Sequence, residues 1–127
     1  MNVIFIDDDE DLNFLQELMC SRSKSIKHFF IASSALQTLD YLQETNIKPD
    51  IIFVDINMPI MTGFGFIEAF EKKFSSQFPE TQLYVVSSSI REYDRIRALK
   101  YESVKGFLLK PLTEEKLEEI YSQYVKS

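Results

Sequence analysis

The sequence predicts a doubly wound α/β fold, a twisted parallel sheet with helices packed on both faces. Three observations carry that expectation. Short apolar runs alternate along the chain with longer stripes of helical period, the run DIIFV (50–54) shows no polar alternation, and 127 residues suit one domain with a sizeable core. A strand covered on both faces is usually parallel to its neighbours, and right-handed crossovers between such strands place helices on each side.

The elements follow in order. NVIFI (2–6) is short and rich in β-branched residues, so it reads as the first strand. Leu12, Leu15, Leu18 and Met19 then recur at helical spacing, and the acidic residues before them suit the positive end of a helix. HFFIA (28–32) is the second strand; Ser34 is placed to cap a helix that carries Leu36, Leu39 and Leu42, with Asn46 closing it in the left-handed region. DIIFV is the third strand, and Phe66, Ile67, Phe70 and Phe74 form the stripe of a third helix after Gly63. QLYVV (82–86) and GFLL (106–109) are the last two strands. Between them a fourth helix, roughly 91–101, is anchored only by Tyr93, Ile96 and Leu99. Thr113 caps a fifth helix that has Glu114 and Glu115 in its first turn and buries Leu117, Ile120, Tyr121 and Tyr124.

Composition excludes several classes. A formal net charge of -6, from 20 acidic and 14 basic residues, argues against a face for direct nucleic-acid binding. A single cysteine, Cys20, cannot form an internal disulfide, and neither a signal-peptide pattern nor a membrane-spanning apolar run is visible. A cytoplasmic location is expected.

Ligands of a doubly wound sheet sit beyond the carboxyl ends of its strands. Asp7 and Asp8 end the first predicted strand in IDDDE, Asp55 the third, Ser87 the fourth and Lys110 the fifth, so one rim collects them all. Three carboxylates against one ammonium leave about -2, which a cation or protons must compensate. Oxygen-only ligands favour Mg2+, and with no histidine or cysteine in the cluster zinc is disfavoured. Asp55 could then act as a nucleophile toward a phosphoryl group, with Ser87 donating to one of its oxygens and Pro59 and Gly63 shaping the loop that follows. Each residue alone also has a plainer reading. The acidic run is a solvated helix start, Ser87 a cap for helix four, Lys110 a surface lysine and Phe107 an aromatic on the last strand.

These residues resemble the receiver domain of two-component response regulators, over a stretch that runs from Asn2 to the end of helix five. An acidic pair after the first strand matches Asp7 and Asp8; the turn x-x-M-P-x-M-x-G after the phosphoacceptor matches DINMPIMTG from Asp55; the hydroxyl, switch aromatic and lysine-proline pair fall on Ser87, Phe107, Lys110 and Pro111. The resemblance implies a flavodoxin-like sheet of order 2-1-3-4-5 across 1–127. It also implies phosphoryl transfer to Asp55 from a sensor histidine kinase or histidine phosphotransfer protein. Mg2+ would be held by Asp8, Asp55 and the Asn57 backbone carbonyl, with Asp7 acting through metal-bound water, and the Lys110–Pro111 bond is expected to be cis. Asn57 and Ser89 occupy the positions that tune phosphoryl lifetime in the family.

Two positions depart from the family pattern. Thr62 stands where aspartate is common, and Ser103 where a glycine often precedes strand five, which predicts an altered or strained turn there.

Phosphorylation adds about -1.5 to -2 charge and is expected to shift Ser87 and Phe107, changing a partner surface on helix four, strand five and helix five. Helix four, with Arg91, Arg95, Arg97 and Lys100, reads equally as a solvated helix with pairs such as Glu92 to Arg95. No output domain is seen after helix five, so output passes through another protein or the chain is part of a longer regulator. His28 lies away from the acceptor and Cys20 reads as a small buried apolar group. The chain is thus expected to be a phosphoryl acceptor rather than a turnover enzyme, with self-phosphorylation and autodephosphorylation as its own chemistry. Two other readings stand beside it: a phosphatase whose nucleophile lies in the Asp7 and Asp9 pair, and a binding module indifferent to phosphorylation.

Overall fold

The computed structural model describes residues 1–89 and 91–126. Five strands and five helices alternate: β1 (Asn2–Ile6), α1 (Glu10–Arg22), β2 (His28–Ala32), α2 (Ala35–Glu44), β3 (Ile51–Asp55), α3 (Gly63–Lys73), β4 (Gln82–Ser87), α4 (Glu92–Leu99), β5 (Val104–Leu109) and α5 (Glu114–Lys126). The sheet is parallel in the order β2-β1-β3-β4-β5, the flavodoxin-like order the resemblance implies. Every residue of β3 is buried, as its unbroken apolar run requires of a strand with helices on both sides.

Alternation along the strands divides the core. Ile4, Ile6, Ile52 and Val54 face α2, α3 and α4, where Leu39, Leu42, Phe66, Ile67 and Phe70 close on them. Val3, Phe5, Ile51 and Phe53 face α1 and α5, against Cys20, Leu117, Ile120 and Tyr121. Phe53 is the hub of that second layer, stacked on Phe5 at 4.6 Å and on Tyr84 at 5.7 Å and meeting Tyr121 edge-on at 6.4 Å. Burial of one such ring contributes about 1.5–3 kcal/mol.

Several sequence expectations are corrected. In α1 the buried residues are Gln16 and Cys20, while Phe14, Leu15 and Leu18 face outward. The apolar stripe therefore misplaces the helix face, because bonds at the head of α1, described below, fix its rotation. In α2, Leu36 is exposed, and the helix ends at Thr45 with φ -76°, not in a left-handed Asn46. Thr45 ends it by accepting from the Ile47 amide through its hydroxyl. Tyr93, Ile96 and Leu99 do not anchor α4: they are exposed, and Ala98 is the buried residue of that helix. Lateral contacts add to the packing of Ala98, with the Arg97 guanidinium 4.1 Å from the centre of the Phe64 ring and 3.8 Å from the Glu68 carboxylate. β5 begins two residues earlier than the sequence suggests, its pairing broken by an irregularity at Leu83/Tyr84.

Ser103 carries no positive φ; the Glu71 carboxylate accepts from its amide at 2.9 Å and its hydroxyl at 2.7 Å, so the turn is bonded rather than strained. Strain lies elsewhere. Ile60, 94% exposed, has φ 70° in a tight turn closed by the Met61 amide on the Pro59 carbonyl at 2.8 Å.

The loop then turns sharply into α3. A Cβ on Gly63 would lie 2.4 Å from the Asp55 carbonyl oxygen, so no other residue lets the helix start this close to the end of β3. Thr62 takes the cap position, accepting from the Gly65 amide at 3.2 Å. Two opposite effects are expected in urea unfolding: Gly63→Ala costs about 3 kcal/mol through overpacking, whereas Ile60→Gly gains about 1 kcal/mol by relieving the left-handed strain.

Candidate functional site

The order β2-β1-β3 puts the carboxyl ends of β1 and β3 side by side, with Ile6 in register with Val54. Asp7, the first residue past β1, and Asp55, the last of β3, are thereby brought together. Carboxylate oxygens of Asp7, Asp8 and Asp55 all lie within 4.8 Å of one another. Asp7 and Asp55 are 3% and 6% exposed, and Asp8 opens to solvent. Just past β5, Lys110 brings its ammonium to 2.6 Å from Asp7 and 3.4 Å from Asp55. Asp7 is thus more than a solvated helix residue, and Lys110 more than a surface lysine.

Electrostatics at this rim are strained in one direction. Burial and the nearby Asp7 charge hold the Asp55 carboxyl above its usual range, and Lys110 and the Asn57 backbone N–H offset only part of that. For Lys110, burial opposes the charge, but hydrogen bonding to Asp7 and the charges of Asp55 and Asp7 outweigh it and push the pKa up. The ammonium is therefore firmly charged, yet it is one cation among three carboxylates. All ligand atoms are hard oxygens, and the donor set fits Mg2+.

The remaining expected residues take distinct places. Ser87 is buried at the end of β4, where its hydroxyl donates to the Ser89 carbonyl at 2.7 Å and accepts from the Ser89 amide at 3.2 Å. It does not cap α4, whose first flanking residue, Arg91, makes no side-chain cap bond. Phe107 lies half-buried on β5 against the α2/α3/α4 layer. Asn57 and Pro59 are exposed in the loop after β3, and the Lys110–Pro111 bond is cis. His28 sits at the start of β2, the opposite edge of the sheet, and Cys20 is buried with its thiol pushed up to about 12 by burial. Asp9 does not join the cluster. Its side chain accepts from the Leu12 amide at 3.1 Å as the cap of α1, so the Asp7 and Asp9 spacing delivers no second carboxylate for a phosphatase site. A cleft of about 1110 Å³ lies elsewhere, lined by Asp50, Thr81, Glu102 and Tyr124.

Sequence reasoning passed over one residue at this site, Asn13, whose side-chain amide donates to the Asp7 carbonyl at 2.7 Å. An asparagine at the fourth place after an acidic cap, within a helix of otherwise mixed polarity, gives no signal of its own.

An acidic, cation-seeking pocket at the switch point of a doubly wound parallel sheet defines a class of anion-accepting signalling and transfer domains. Comparison with known proteins names the family. The profile described as Response regulator receiver domain matches residues 3–122, and the chain belongs to that family.

The chain is 33% identical over 122 residues to a protein-glutamate methylesterase/protein-glutamine glutaminase 1 of Methanospirillum hungatei, covering 94% of this chain and 34% of that protein. It is 25% identical to the transcriptional regulatory protein CitT of Halalkalibacterium halodurans, over 98% of this chain and 52% of that one. It therefore spans about a third to a half of these relatives. A two-component response regulator from Cytophaga hutchinsonii superposes with a TM-score of 0.89 at 27% identity, covering 99% of this chain and 97% of that one. A response regulator receiver protein from Dyadobacter fermentans gives 0.86 at 25%, covering 100% and 99%. The chain is a phosphoacceptor receiver domain of the two-component type.

The raised Asp55 pKa fixes the sign of a pH effect. Folded Asp55 keeps its proton to higher pH than the unfolded chain does, so in metal-free protein stability falls as pH rises from the ordinary 3.8 through the raised value. Asp55→Asn removes that fall and unfolds at a higher temperature than wild type at neutral pH, as measured by calorimetry in chelator.

Proposed function

We propose that Asp55 is the phosphoacceptor and that it takes a phosphoryl group from a phosphohistidine on a sensor kinase or phosphotransfer protein. One observation carries this reading: Lys110 bridges Asp7 and Asp55 while three carboxylates within 4.8 Å remain short of positive charge. Mg2+ held by Asp7, Asp8, Asp55 and the Asn57 backbone carbonyl would neutralise charge on the incoming phosphoryl oxygens.

The chain's own groups account for the rest. An Asp55 carboxylate oxygen bonds to phosphorus as the phosphorus–nitrogen bond to the histidine breaks, and the electron pair of that bond stays with the imidazole nitrogen. Held on the last residue of a fully buried strand, Asp55 meets the phosphorus in a fixed position. Lys110 is placed to follow the charge as it builds on the phosphoryl oxygens. The Ser87 hydroxyl is engaged with Ser89 and must turn away from it to reach the phosphate. Phe107, the expected switch aromatic, lies two residues before Leu109, the strand partner of Ser87. Pro59, Gly63 and Pro111 shape the turns around the pocket.

The expected output is a changed surface on α4, β5 and α5. Its support is the row of apolar side chains that α4 leaves in solvent, Tyr93, Ile96 and Leu99, together with exposed Leu109 on β5. This reading takes 1–127 as one receiver unit in the cytoplasm, without direct nucleic-acid contact and without turnover of its own beyond gain and loss of the phosphoryl group. Among the described residues no helix is long and apolar enough to cross a membrane. The methylesterase relative is an enzyme by name, and this chain spans 34% of it.

Incubation with Mg2+ and a small acyl-phosphate donor is expected to add one phosphoryl mass to the intact protein, and neither Asp55→Asn nor chelated wild type should gain it. Lys110→Ala should slow labelling about a hundredfold. Equal labelling of Asp55→Asn would contradict the assignment.

A further inference from the structure

We propose that Asn13 is a positioning residue for the cation site, acting through the peptide that joins Asp7 to Asp8. The proposal rests on the reading that this pocket takes Mg2+.

Two of the three clustered carboxylates are consecutive residues, so the orientation of one planar peptide unit governs how they face each other. That peptide lies past the end of β1 and before α1, where no strand ladder or helix fixes it. The Asp7 amide still reaches back to the Ala32 carbonyl at 3.1 Å. Its carbonyl points the other way, and the Asn13 side-chain amide binds it at 2.7 Å. On the same turn the Asp9 amide donates to Asp7 Oδ1 at 2.9 Å, and the Asp9 side chain caps α1 through Leu12. The first turn of α1 thus grips Asp7 at its carbonyl and at one carboxylate oxygen, leaving Oδ2 for Lys110.

A packing role does not account for this residue. Asn13 Oδ1 is buried and without a hydrogen-bond partner, and so is Gln16 Oε1 one turn later. A side chain chosen for filling would be apolar here, since an unpaired buried oxygen works against the fold. Meanwhile Phe14, Leu15 and Leu18, which could fill that face, point to solvent. The asparagine contributes through its donor alone. It therefore serves the geometry of the acidic pair at some expense to stability, and it accounts for the rotation of α1.

Stability and cation binding should then separate. Mg2+ titrated into the full chain by calorimetry is expected to bind Asn13→Leu about tenfold more weakly than wild type. The metal-free variant should melt no lower than wild type. Asn13→His, whose ring Nδ1–H can stand where the amide stood, should recover most of the affinity.

Equal Mg2+ affinity in wild type and Asn13→Leu overturns the proposal while leaving the cation site intact; no Mg2+ binding by wild type overturns both. Should Asn13→Leu fail to fold, Asn13→Asp decides. It keeps the shape, lacks the donor and adds a negative charge that by itself would tighten the cation, so weaker binding supports the proposal and equal or tighter binding overturns it.

Discussion

Parallel pairing of β1 with β3 forces carboxylates together that would otherwise repel. Asp7 and Asp55 leave adjacent strands at the same edge, one residue past register and at the last residue respectively, and both are buried there. Water cannot screen them, and a lone ammonium from just past β5 cannot neutralise them. Much of the local structure follows from that imbalance. Lys110 is drawn to Asp7, Asp55 is held toward its protonated form, and a hard cation becomes the favoured occupant. On the proposed reading, a phosphoryl group delivered with a cation would enter a site already arranged around charge.

The scaffold keeps this arrangement stiff where it matters. Phe53, two residues before Asp55, is packed among three aromatic rings, and Gly63 lets the start of α3 press directly on the Asp55 carbonyl. Asp55 is fixed from below and from the side. Around it the structure is looser. Ile60 carries left-handed strain in an exposed turn, Ser87 folds back on Ser89, and α4 buries Ala98 and sets Arg97 against Phe64 and Glu68. On the proposed reading, a rigid Asp55 beside more loosely packed neighbours suits a domain whose added charge must be felt at a distance.

Most strands and the ligand rim were legible in the sequence because apolar runs are unambiguous and because a parallel sheet sends the ends of its strands to one edge. Asp7, Asp8, Asp55, Ser87 and Lys110 could be placed there without coordinates. Helix faces were less legible. In α1 five apolar residues between Leu12 and Met19 span too wide an arc to name a face, and the true one is set by the grip of Asp9 and Asn13 on Asp7. In α4 the apolar residues are those left in solvent, since a cation over an aromatic ring leaves no periodic trace. At the Ser103 turn the stabilising partner, Glu71, comes from a helix 32 residues away in sequence, so the bonded form of that turn leaves no local trace.

The account stands on a pocket short of positive charge, and thermal unfolding with and without Mg2+ tests that directly. A ligand that binds only the folded state stabilises it by about 2.7 kcal/mol at a hundred times its dissociation constant. Wild-type protein should therefore melt at progressively higher temperature as MgCl2 rises, and NaCl at matched ionic strength should not reproduce the shift. Identical melting curves in the two salts would contradict the claim that the three carboxylates and Lys110 form a site in want of a dication.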